Sequence, residues 1–86
     1  MPQKVSETGM IDLGEYFESC SFHPCLCIEI DDTGRNIEGI SLVDGSIQSC
    51  SVIHCGLRKL TFAEAVHWKK EGPQEIGDIE IDNKWW

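Results

Sequence analysis

Eighty-six residues with 41% hydrophobic content and a net charge of -8 make one small domain and exclude compositional disorder. A chain this short buries only roughly 60–65% of its unfolded surface, which leaves no room for a large cofactor with its own subdomain. The acidic balance repels phosphate backbones and disfavours nucleic-acid binding. No apolar run nears the ~18 residues of a membrane span, and no apolar targeting segment opens the chain, so a cytoplasmic protein is expected.

In chain order, residues 1–10 are polar and aperiodic and predict a loose tail; residues 11–86 predict the domain. Residues 12–17, with Leu13 and the aromatic pair Tyr16 and Phe17, predict a first strand or strand-like arm, with one helical turn as the competing reading. His23 and Pro24 punctuate. Residues 25–31 alternate with period two: Leu26, Ile28 and Ile30 on one face, Cys25, Cys27, Glu29 and Asp31 on the other. Asp31, Asp32, Thr33 and Gly34 predict a turn. Residues 37–43 predict the next strand, with Gly39 marking a bulge or bend. Asp44-Gly45 between apolar runs predicts a type I′ hairpin returning through residues 46–52. An irregular turn over residues 53–56 and a short strand over 57–60 follow.

Thr61 and Glu64 fit a capping box opening a helix over about residues 62–71. Its apolar stripe reads as Phe62, Ala65, Val66 and the stem of Lys69, and Gly72-Pro73 supplies the stop. Ile79-Glu80-Ile81 offers an edge strand. Trp85 and Trp86 are too apolar to stay wet and are expected to pack on the domain or a partner. The predicted fold is mainly β: a strongly bent antiparallel sheet or SH3-like barrel of four to five strands with one C-terminal helix. The likeness to SH3-like barrels is one of layout and brings no peptide-binding aromatic set.

Charge is uneven. Residues 1–57 carry Lys4 and Arg35 against nine acids; residues 58–70 carry Arg58, Lys59, Lys69 and Lys70 against Glu64; residues 71–86 carry Lys84 against five acids. The short basic stretch reads as a solvated helix face. Five cysteines, an odd number, argue for reduced thiols rather than a disulfide framework, and a free cysteine commonly serves as a small buried hydrophobe.

The stretch over residues 39–65, with DGS, CS-x-x-HCG-x-RKLT and EA, resembles short uncharacterised bacterial proteins, including those carried on the mobile gene cassettes of integrons. The resemblance implies no activity.

Cys20, His23, Cys25, Cys27, Cys50, His54 and Cys55 are soft or borderline ligands; Cys20-x-x-His23 and Cys50-x-x-x-His54 loosely meet the spacing of zinc pairs, and there is no C-x-x-C pair. A zinc staple using Cys20, His23, Cys50, His54 and Cys55 would suit so small a domain. Cys55 beside His54 is the candidate nucleophile of a small cysteine-dependent enzyme, because a thiolate needs a base or a positive field. Phosphate-binding glycine loops, H-E-x-x-H and basic-aromatic interleaving are absent. The leading expectation is therefore a non-enzymatic binding or protein-interaction module, paired with protein and plausibly with a second copy of itself as a dimer. Tyr16, Phe17, Trp68, Trp85 and Trp86 are the expected ligand or partner contacts.

Overall fold

In the computed structural model, residues 3–5, 9–52, 57–74 and 85–86 are described, with the side chains of Gln3 and Lys4 left aside. Alternating apolar residues between turn formers give strands β1 (Gln3–Lys4), β2 (Tyr16–Glu18), β3 (Pro24–Ile30), β4 (Asn36–Ser41), β5 (Ile47–Ser51) and β6 (Arg58–Leu60), followed by helix α1 (Phe62–Glu71). The strands pair antiparallel in one open sheet, in the order β1-β6-β2-β3-β4-β5. Fold class is thus mainly β with a C-terminal helix, and among the described residues the sheet does not close into a barrel.

The sheet is nevertheless sharply bent. Three strand spacings separate β2 from β5, about 14 Å in a flat sheet at ~4.8 Å per strand. Yet Cys20, just past β2, places its Sγ 3.7 Å from Sγ of Cys50 on β5. Gly39 lies within the bent region. A Cβ there would sit 2.6 Å from Cζ of Phe17 and 2.8 Å from Cβ of Cys25, so only glycine lets the Phe17 ring lie against β4.

One face of the sheet carries the main core. Phe17, Cys25, Cys27, Ile37 and Cys50 pack with Val5, Ile11, Val52 and Leu57, and Met10 and Ile30 close its margin. Val5 is buried, its N–H donates to Leu57 O at 2.7 Å, and β1 pairs with β6. Residues 3–5 are therefore tied to the sheet where a loose tail was expected; burying Val5 and completing the β6 ladder outweigh the ordering cost.

The period-two reading of β3 requires correction. Its register shifts by one residue between Cys27 and Glu29, a β-bulge. Before the bulge Cys25 and Cys27 face the core; after it Ile30 pairs with Ile37 and joins that same face. Leu26 and Ile28 remain on the opposite face.

The Asp44-Gly45 connection also differs from a type I′ turn. Ser41 N donates to Ser46 O and Gly45 N to Ser41 O, closing a four-residue loop over residues 42–45. Gly45 has φ +74°, and Asp44 has no positive φ, whereas a type I′ turn needs both. The Asp31 turn forms as expected: Gly34 has φ +72°, Gly34 N donates to Asp31 O, and the Asp31 carboxylate accepts from Thr33 Oγ1 and Asn36.

Helix α1 starts with a capping box: Glu64 N donates to Thr61 Oγ1, and Thr61 N donates to Glu64 Oε1. Gly72, φ +92°, ends it. Its buried residues are Ala65 and Trp68, so the expected stripe through Phe62 is rotated about the axis. The expected turn over residues 53–56 and the strand at 79–81 lie outside the described residues.

Candidate functional site

Antiparallel register places Leu60, Tyr16, Leu26, Ile40 and Ile47 opposite one another in a single row across β6, β2, β3, β4 and β5. Cross-strand partners share a face, so these five residues form a continuous apolar band on the side opposite the main core. Helix α1 covers only one end of it, where Leu60, Ala65 and Trp68 make a second core with Tyr16 and Leu42. Exposure then climbs along the row, from 3% at Leu60 to 37% at Ile40 and 55% at Ile47, and Ile28 is 39% exposed. The row and its neighbour Ile28 carry no charge.

The covered end is held by a buried polar network. Glu18 accepts from Arg58 Nε at 2.8 Å and Nη2 at 2.6 Å, and from Trp68 Nε1 at 2.6 Å; Arg58 Nη2 also donates to Gln74 O at 2.8 Å. The Arg58 guanidinium lies 5.7 Å from the centre of the Trp68 ring. Every oxygen of the buried carboxylate is satisfied, so the network fixes α1 on β2 and β6 rather than offering chemistry. It explains the rotated helix: Trp68 must face inward to reach Glu18. The network joins residues 40 and 50 positions apart, a pairing that nothing local in the sequence announces.

At the start of α1, Tyr16, Leu60 and Phe62 line an open cleft of about 480 Å³, rimmed by Glu15, Lys59 and Glu64. The Tyr16 and Phe62 rings are 5.5 Å apart. Lys59 Nζ pairs with Glu15 Oε2 at 3.0 Å, and the Glu15 carboxyl is held below its usual range by the Asp12 backbone N–H, with Lys59 contributing.

A third cluster surrounds the β2–β3 turn. Ser19 N donates to His23 O and Phe22 N to Ser19 O, closing a three-residue loop of Cys20, Ser21 and Phe22. In such loops the last position is left-handed and normally glycine; here Phe22 occupies it with φ +63°. The strained turn is clamped from two sides: Ser19 Oγ accepts from the N–H groups of Ser21 and His23, and Trp85 Nε1 donates to Phe22 O at 2.9 Å. Trp86 meets Phe22 edge to face, and Trp85 lies 5.7 Å from the His23 ring. Both tryptophans thus pack on the domain.

His23 Nδ1 lies 2.7 Å from Ser41 Oγ, which also accepts from Val43 N. Ser41 is only 2% exposed, so its hydroxyl is closed to a substrate and the pair braces the 42–45 loop against the turn. Of the suggested zinc ligands, Cys20 and Cys50 meet, His23 is turned to Ser41, and His54 and Cys55 lie outside the described residues. Among the described residues no group of three or more His, Cys, Asp or Glu side chains surrounds a common point. Burial pushes the Cys25 thiol up to about 12 and raises Cys27 as well, so neither is a thiolate at neutral pH. Phe17 is fully buried in the core and Trp68 is buried under α1, while Tyr16 lines the cleft.

Among the described residues no helix is long and apolar enough to cross a membrane. The chain matches no known protein family, no curated protein and no solved structure.

Proposed function

We propose that this chain is a non-enzymatic protein-interaction module, docking through the part of its apolar row that α1 leaves open, and that its partner there is a second copy of the same chain. The carrying observation is the rise in exposure from Leu60 to Ile47 along one cross-strand row. A sheet face is normally covered where it is apolar and polar where it is wet; Ile28, Ile40 and Ile47 break that rule together, side by side. Fully burying one isoleucine contributes about 1.5–3 kcal/mol, and roughly half of that remains unclaimed at each of these positions.

An uncharged patch is compatible with itself. A two-fold axis through it would set isoleucine against isoleucine without opposing like charges at the centre, although each copy carries -8 overall. Glu29 and Glu38 flank the row at the rim, so their mutual repulsion makes pairing salt-dependent in the favourable direction.

Light scattering across concentration tests this reading. The wild type is expected to move from monomer to dimer mass, more readily in added salt. Ile47→Lys is expected to stay monomeric with unchanged circular dichroism, because the exposed position needs no repacking. A wild type that stays monomeric at high concentration in salt would defeat the proposal.

A further inference from the structure

The thiols of Cys20 and Cys50 lie 3.7 Å apart, though 30 residues separate them in the chain. They differ in access: Cys20 is exposed on the β2–β3 turn and Cys50 is buried on β5. We propose that Cys20 and Cys50 form a redox-active dithiol site whose substrate is a low-molecular-weight disulfide of the glutathione type.

The asymmetry in access sets the order of events. The Cys20 thiolate, the only reachable sulfur of the two, attacks one sulfur of the small disulfide RSSR; that S–S bond breaks, RS⁻ leaves and takes a proton from water, and Cys20 carries a mixed disulfide. Cys50 then attacks Cys20 Sγ, its proton passing to the departing sulfur, and the second thiol leaves as RSH. Two protein thiols are oxidised by two electrons to one disulfide, and one RSSR is reduced to two RSH. A disulfide needs its sulfurs about 2.05 Å apart, so they must close by about 1.7 Å from their 3.7 Å separation. Cys20 is exposed on its three-residue loop, so rotation of its side chain can supply that movement while the clamped turn stays in place. Among the described residues Cys25 is also a buried thiol near Cys50, but its Sγ–H is directed to His23 O. The resulting bond would lock the turn that Trp85 grips to the outer strand of the sheet.

The full chain, freshly reduced, is incubated with oxidised glutathione at neutral pH and followed by intact mass and free-thiol titre. Wild type is expected to lose two hydrogens in mass and two of its five thiols. Cys20→Ser, a change on an exposed turn, is expected to gain neither bond nor adduct at Cys50. Cys50→Ala is expected to stop with one glutathione on Cys20, and Cys55→Ser to form the internal bond as wild type does. An internal bond that survives in Cys20→Ser or Cys50→Ala, that disappears in Cys55→Ser, or that never forms in wild type overturns the assignment.

Discussion

Gly39 is the position where one added carbon does most damage. Its missing Cβ is replaced by the Phe17 ring, and backbone-linked Cys25 Cβ crowds the same space, so neither neighbour yields cheaply. Gly39→Ala is expected to cost about 1–3 kcal/mol, read as a lower urea midpoint with the slope unchanged. Glu18 answers to a different force. Truncating it to Ala leaves the partly buried Arg58 without its carboxylate and the buried Trp68 Nε1 without an acceptor, and about 2–4 kcal/mol should be lost. Asp31 is exposed, and its carboxyl is held down to about 2 by Asn36 first and Thr33 second. A lowered pKa stabilises the fold above the ordinary aspartate value of 3.8, and that contribution fades as pH falls toward 2. Asp31→Asn is therefore expected to lower the melting midpoint at pH 6 and to match wild type near pH 2. The Asp31 turn was legible from its residue types alone. Glu18 was not, because its partners come from β6 and α1 and only the folded chain brings them to it.

Among the elements, those whose signals are local were legible and those set by tertiary packing were not. The capping box formed as its pattern predicts, and Thr61→Ala should cost about 0.5–2 kcal/mol in thermal unfolding. The helix face, by contrast, was decided by Trp68 reaching Glu18, which outweighed the apolar preference of Phe62. Strand β3 reads as an unbroken alternation, and a bulge does not interrupt such a pattern in sequence; it only exchanges faces after Ile28. That exchange leaves Ile28 outside while Ile30 packs against the core. The Asp44-Gly45 signal found its hairpin but not its turn type, because Ser41 closes a longer loop and His23 holds Ser41 in place. The candidate site was partly legible in the same sense. Tyr16 is among the contacts expected from sequence and lies in the row, whereas Ile40 and Ile47 are not among them, because exposure depends on how far α1 reaches.

For the whole molecule, the two faces of one sheet are covered unequally. The main core lies on one face; among the described residues α1 covers only part of the other. We propose that the remainder, carrying Ile28, Ile40 and Ile47, is where the chain meets its own copy. Isoleucine methyl NMR spectra recorded from dilute to concentrated protein test it most directly. Concentration-dependent shifts are expected at Ile28, Ile40 and Ile47, with Ile11 and Ile37 in the opposite core unmoved. Shifts confined to other methyls, or a spectrum unchanged at the highest concentration, would contradict it.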